Sequence, residues 1–147
     1  MAEEKIVVNA GAMIFQENKV LLVLQAEGFN KGKWNFPLGG MEPGEKLDQT
    51  AIREAKEETG LDIQLTHFVG LYQQHPSQRI CVLIAGFRGV PLTSEIKLNP
   101  EEILEAKWFT LNEVKALPQD QLADPEMVNA IQKAIKNPVP LNTFIKF

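Results

Sequence analysis

Cysteine is almost absent from this chain. The single Cys81 can form no internal disulfide, which excludes a disulfide-stapled secreted scaffold and fits a reducing, cytoplasmic location. Long apolar runs are also missing: nothing approaches the roughly 20 residues needed to span a bilayer, so no membrane association is expected. The opening Met1-Ala2-Glu3-Glu4-Lys5 lacks the basic flank and apolar stretch of a secretory signal. Basic excess is missing too. Lys and Arg number 15 against 19 Asp and Glu, a net charge of −4, and no basic stripe marks the chain for nucleic acid. Repeats and low-complexity segments do not occur. What is present, 147 residues with 44% apolar and 23% charged side chains, is enough for one domain over residues 1–147 with its own hydrophobic core.

Strand-like and helix-like patterns alternate. Lys5–Phe15 reads as a first strand with a glycine break at Gly11, and Asn18-Lys19 as the turn into the continuously apolar Val20–Leu24, a central strand covered on both faces. Ala26–Lys33 is a polar loop, Trp34–Phe36 a short strand, and Leu38–Lys46 a compact loop rich in glycine and proline. Leu47–Thr59 is a helix packing through Ala51, Ile52, Ala55 and Thr59 and stopped by Gly60. Asp62–Gln74 and Arg79–Arg88 are two long strands joined by His75-Pro76-Ser77-Gln78, and Gly89–Ile103 is a loop. Ala106–Phe109 is a short strand. Thr110 or Asn112 caps a short helix through Leu117, and Pro125–Lys136 is a final helix. Cys81, inside the apolar run Ile80–Ile84, is expected to be buried filler. The alternation points to a sheet between helical layers.

Three carboxylates on the first helix carry the chemistry. Glu54, Glu57 and Glu58 stand at i, i+3 and i+4, one face about 100° wide, where like charges repel. A solvated acidic face is the ordinary reading of three such glutamates alone. A bound divalent cation is the other, since hard oxygen ligands suit Mg²⁺ or Mn²⁺. The surroundings favour the second. From Gly39 the chain runs five residues to Glu45, seven more to Arg53-Glu54-Ala55, then Lys56, Glu57-Glu58, Thr59 and Gly60-Leu61. A chance match to such a set of fixed positions is on the order of 10⁻⁶ at ordinary residue frequencies.

This pattern resembles the signature box of the Nudix hydrolases, which cleave nucleoside diphosphates linked to another moiety with the help of a divalent metal. The preceding Trp34-Asn35-Phe36-Pro37-Leu38-Gly39-Gly40 agrees, with Leu38 where many members have a first glycine. The resemblance implies an α/β/α sandwich around a mixed β-sheet. It implies Glu57 and Glu58 as metal ligands, with Glu54 close by and the Gly39 carbonyl as a further ligand, a glycine there letting the backbone approach the metal. It implies an Arg53–Glu45 ion pair that anchors loop to helix and orients the carboxylates, with Gly44 giving the loop its bend. The general base comes either from the box, as Glu54, or from the acidic segment Glu101-Glu102-Ile103-Leu104-Glu105 before Trp108-Phe109, where Glu102 is best placed and Glu101 and Glu105 stand behind it.

Contacts to substrate are less marked. Arg79 and His75 flank the turn between the long strands and are candidates for phosphate, against the commoner reading of solvated strand-end cations. Phe29, Trp34 and Tyr72 are candidates to stack on a heterocycle, Trp34 being more often core in such a position. The tail Asn137–Phe147 is apolar for a terminus and is expected to pack against the domain or against a second subunit of a homodimer. The expected function is a Mg²⁺-dependent pyrophosphohydrolase of a small phosphorylated substrate. Such an acidic chain needs the metal to invert the local sign for an anionic substrate. Short loops favour a nucleotide, or a diphosphate such as a thiamine precursor, over capped RNA. Two alternatives from other classes are a non-catalytic nucleotide-sensing module, which would be expected to lose box glutamates, and an isomerase of isoprenoid diphosphates, which would call for a cysteine beside the site.

Overall fold

β-branched and aromatic runs form the strands, and their alternation assigns each residue to one of two buried faces. A computed structural model describes residues 3–144. β1 (Lys5–Gln16) and β2 (Lys19–Gln25) form a hairpin whose turn is Glu17-Asn18, with Glu17 at φ 57°, one residue earlier than expected. β3 (Trp34–Asn35) and β4 (Leu38–Gly40) follow, then α1 (Leu47–Thr59), β5 (Ile63–Ser77), β6 (Ile80–Pro91), β7 (Ile103–Thr110), α2 (Leu111–Ala116), α3 (Met127–Lys136) and β8 (Val139–Pro140). The sheet runs β3-β2-β1-β6-β5-β8, with β4 added to β1 and β7 to β2. β1 and β6 pair in parallel and the other pairs are antiparallel, so the sheet is mixed.

The long apolar strands are explained by cover on both faces. Ala10, Ala12 and Ile14 of β1, Leu21 of β2 and Phe87 of β6 are buried with Ala51 and Ala55 of α1. Met13 and Phe15 of β1, with Val20 and Leu22 of β2, are buried with Val114 of α2 and Ile131 and Ala134 of α3. The expected α/β/α sandwich is what the chain adopts. Alanine faces alanine where α1 lies on β1, so helix and sheet approach closely, which brings the carboxylates of α1 to β4.

Several local expectations need correction. β1 runs unbroken through Gly11, because glycine here serves a close approach of strands: a Cβ would lie 2.5 Å from Leu38 Cβ and 2.7 Å from the Pro37 carbonyl. The compact loop expected from Leu38 begins as a strand, with Leu38–Gly40 paired to Asn9–Gly11. Ile52 is 39% exposed, since the buried stripe of α1 follows Ala51, Ala55 and Glu58-Thr59 and Ile52 lies about 100° away from Ala51. β5 continues through His75-Pro76-Ser77 by means of a bulge, leaving Gln78-Arg79 as the turn, and β6 extends to Pro91. β7 is longer than Ala106–Phe109, and α3 starts at Met127 rather than Pro125. Thr110 caps α2, accepting from the Glu113 N–H at 3.2 Å. Cys81 is only half-buried, with Gln73 Nε2 at 3.4 Å, because it stands near the end of β6 beside the 75% exposed Ile6 of β1, on the face opposite Val82 and Ile84.

The described part of the tail packs on its own chain. Val139-Pro140 pairs with Phe68-His67 of β5, and Phe144 stacks on Phe68 (centroids 5.8 Å) and meets Phe87 edge-on at 5.2 Å. Ile145, Lys146 and Phe147, like Met1 and Ala2, lie outside the described residues. Among the described residues no helix is long and apolar enough to cross a membrane.

Candidate active site

The loop between β4 and α1 is tied down by a single arginine. Arg53 projects from the middle of α1 and spreads its donors over four partners. Its Nε donates to Glu45 Oε2 at 2.7 Å and Nη2 to Glu45 Oε1 at 2.9 Å, a two-point pairing. Nη2 also donates to the Gly40 carbonyl at 2.8 Å, while Nη1 reaches Glu54 at 2.8 Å and Glu57 at 3.2 Å. Glu45 takes two further donors, the Thr50 hydroxyl at 2.6 Å and the Glu42 N–H at 3.1 Å. So held, the Glu45 carboxyl is lowered to about 2, the Arg53 guanidinium being the first cause, and Arg53 is correspondingly raised. Gly44 makes the bend at φ 82°, a left-handed turn that glycine adopts without strain. The ion pair expected from the sequence is present. Thr50, which nothing in the sequence marked, completes it.

Glu58 sits in the opposite environment. It is 4% exposed, and its Oε2 accepts the Leu38 N–H at 3.1 Å, binding α1 to β4. Burial pushes its carboxyl up to about 9, and the charges of Glu54 and Glu102 push the same way. Glu54 is raised too, burial again leading, against the pull of Arg53. Its carboxylate lies directly on the Gly39 Cα, where any Cβ would collide with it. Glycine at 39 is therefore required by the packing of Glu54, a reason different from the one expected. Glu57 is the most open of the three, its side chain 46% exposed.

The donor set is all oxygen and negatively charged, which suits a hard divalent cation and not a soft one. The fit is chemical: burial pushes both Glu58 and the half-buried Glu54 toward the neutral form, Glu54 and Glu102 add to the push on Glu58 and Glu57 to that on Glu54, and a cation placed among them would hold them ionised. Among the described residues, no three His, Cys, Asp or Glu side chains converge on one point in ligating geometry, since Glu54 and Glu57 both turn to Arg53.

On the far face of the sheet a cleft of about 410 Å³ opens between α3, the Ala26–Lys33 loop and the floor of β1, β5 and β6. Leu38 lines it while its N–H holds Glu58, so cleft and carboxylates meet across one residue. Tyr72 and Phe29 line this cleft, as the sequence suggested. Trp34 does not: it is 8% exposed and packs edge-on to Phe109 at 5.0 Å, in the core. His75 and Arg79 also fall outside it, at the distal end of the β5–β6 hairpin, where His75 meets Gln73 and the Arg79 carbonyl accepts from Lys5. Of the loop glutamates, Glu102 faces the cluster, while Glu101 and Glu105 are exposed.

A family model for the NUDIX domain matches residues 5–131. This chain belongs to the Nudix hydrolase family. A NUDIX hydrolase from Nitrosomonas europaea superposes with TM-score 0.83 and 30% identity, over 97% of this chain and 98% of that one. The MutT protein of Methanosarcina mazei shares the fold at TM-score 0.78 and 23% identity, over 93% and 99% of the two chains. The NAD-capped RNA hydrolase NudC of Stutzerimonas stutzeri is 35% identical over 101 residues, 69% of this chain and 36% of that protein. The chain spans between 24% and 50% of the length of the curated relatives it matches. Nudix hydrolases generally use divalent metal cations.

Proposed function

We propose that this chain is a Mg²⁺-dependent pyrophosphohydrolase that splits a diphosphate linkage in a small nucleotide or a related small-molecule diphosphate. The observation that carries the reading is the packing of Glu54 and Glu58 of α1 against Gly39 and Leu38, with Arg53 and Glu45 locking loop to helix.

Glu54, Glu57, Glu58 and the Gly39 carbonyl would hold Mg²⁺, with Mn²⁺ able to substitute; the ion supplies neutralisation of phosphate oxygens and acidification of water. In the reaction a water oxygen bonds to one phosphorus, the bridging oxygen leaves with the other phosphate, and the water proton passes to a carboxylate. Glu54 and Glu102 both face Glu58 and are the two carboxylates in reach of that task. Arg53 acts through others: its grip on Glu54, Glu57 and Gly40 fixes where the carboxylates stand. The cleft beyond Leu38 holds the organic part of the substrate. Nothing favours the isomerase alternative, as Cys81 does not line the cleft. The sensing module is disfavoured by the intact glutamates.

The test is phosphate or pyrophosphate release from nucleoside di- and triphosphates and small diphosphates. Activity should vanish in chelator and return with Mg²⁺ or Mn²⁺, and full activity in excess chelator would overturn the proposal. NAD-capped RNA belongs on the panel because NudC carries that name. Its preferential cleavage would overturn the small-substrate reading. Glu102→Gln assigns the base: turnover lowered by roughly 10²–10⁴-fold with Mg²⁺ affinity retained places it at Glu102, and turnover near wild type leaves it to Glu54.

A further inference from the structure

α1 leaves part of its own sheet face bare. Side chains alternate along a strand, so the even-numbered residues of β1 and the odd-numbered residues of β6 share the face that α1 covers. On that face Ala10 and Ala85 are paired and buried with α1, but the rows beyond them, toward Lys5, are open. Val8 pairs with Leu83 and Ile6 with Cys81; Val8, Leu83 and Cys81 are only half-buried, and Ile6 is 75% exposed. Leu71 of β5, opposite Ala85, is 64% exposed, and Met41, whose N–H donates to the Val8 carbonyl, is 42% exposed. α1 points its N-terminal end at these rows. Its Glu58 reaches Leu38, level with Gly11, and its Arg53 reaches Gly40, level with Asn9. Isolated exposed apolar residues are ordinary, but six in adjoining rows with no charge among them form a contact surface.

The end of α1 makes a step on the sheet. A helix is roughly 10–12 Å across and two sheets pack face to face about 10 Å apart, so the space beside the helix end has the depth of one further sheet. A two-fold axis lying in the contact plane at the Ile6–Cys81 row lets two copies fill this space for each other. Each lays its bare rows on those of the other, and each α1 then abuts the end of the opposite sheet. One self-complementary patch suffices for such a contact. We propose that this face is where two copies of the chain associate. The uncharged patch keeps the net charge of −4 on each chain out of the contact. Three strands and Met41 abreast, by four residues along the strands, give a footprint of about 250 Å² in plan on each copy. Even with the walls of both steps added, that lies below the roughly 800 Å² per partner of a standard interface, so the pair is weak and exchanging. Val82 and Ile84, on the other face of the same rows, belong to the cleft floor, so the second copy backs the floor and leaves the cleft open.

Sedimentation equilibrium of the full chain, from about 10 μM to 1 mM, tests the contact without reference to any activity. The wild type should pass from monomer toward dimer across that range. Ile6→Glu and Leu71→Glu each place an unpaired carboxylate in the contact, twice per pair, and should each raise the dissociation constant at least about tenfold. Both positions are exposed in the single chain, so melting of the dilute variants should stay close to wild type and show that they are folded. Ile6 lies two strands in from β5, so its effect separates contact through the face from pairing along the β5 edge. Cys81 gives a second readout. With one cysteine per chain, a short bis-maleimide can link only two copies, and it should yield a covalent dimer from the wild type and far less from Ile6→Glu. A chain that stays monomeric to about 1 mM would overturn the proposal and leave the face to a different partner. So would a dimer that both glutamates leave intact, or one that Leu71→Glu breaks while Ile6→Glu does not.

Discussion

The two ends of the α1 site solve the same electrostatic problem in opposite ways. At one end Glu45 is screened from water but takes two donors from Arg53, one from Thr50 and one from the Glu42 backbone, and its carboxyl falls to about 2. At the other end Glu58 is buried more deeply, takes one backbone N–H, faces Glu54 and Glu102, and rises to about 9. The first arrangement is complete within the protein and stabilises it. The second, on the proposed reading, is complete only with a cation and costs stability until one binds. A fold that keeps both is using the first to hold the second in place.

Glu58→Gln attacks the costly end and should have the largest effect. The amide still accepts the Leu38 N–H but brings no charge, so turnover should fall by roughly 10²–10⁴-fold. The same variant in chelator at neutral pH should melt higher than wild type, by a few degrees, on the order of 1–2 kcal/mol. A lower melting point in chelator, with the variant folded, would show that Glu58 is not under strain.

Arg53→Ala attacks the satisfied end. Five hydrogen bonds go with it, and a lost orienting partner costs ~10–100-fold in activity or metal affinity. Here melting temperature and turnover should fall together, the reverse of the Glu58→Gln pattern. Wild-type kinetics in Arg53→Ala would reduce the arginine to a surface charge.

Acid sharpens the contrast further. Because the folded carboxyl of Glu45 lies below its ordinary 4.5, its contribution to stability is fully present above pH 4.5 and is lost as pH falls toward about 2. Denaturant midpoints measured across that window should drop more steeply for wild type than for Glu45→Gln. Parallel curves would contradict the pairing. The smallest effect belongs to the hairpin tip: His75→Ala and Arg79→Ala should change kcat/KM by less than about twofold, within the range of ordinary surface substitutions.

The two ends were unequally legible in the sequence. The pairing of Arg53 with Glu45 was implied by the family resemblance, whereas spacing put Glu54, Glu57 and Glu58 on one helix, because a helical repeat is local geometry. Leu47–Thr59 appeared with its observed bounds for the same reason, with Gly60 as its left-handed stop. Contacts set by strand pairing were hidden. Gly11 against Leu38, Gly39 under Glu54 and the Leu38 N–H on Glu58 all depend on β4 joining β1, and a three-residue strand rich in glycine leaves no periodic trace. The cleft was legible only in its aromatics. Its polar side chains come from the Ala26–Lys33 loop, β5 and the segment before α3, which meet only in three dimensions. Trp34 misled because an aromatic beside a loop reads alike whether it faces substrate or Phe109.

Thermal melting against Mg²⁺ concentration, wild type beside Glu58→Gln, tests the metal site most directly, since no substrate or turnover enters. A ligand that binds only the folded state stabilises it by about 2.7 kcal/mol at a hundredfold excess over Kd. Wild-type melting temperature should therefore climb with Mg²⁺ and plateau, while Glu58→Gln begins higher and stays nearly flat, so that the two curves cross. A wild-type curve that does not move with Mg²⁺ or Mn²⁺, or one that Glu58→Gln follows in parallel, would contradict the claim that this helix face is a metal site.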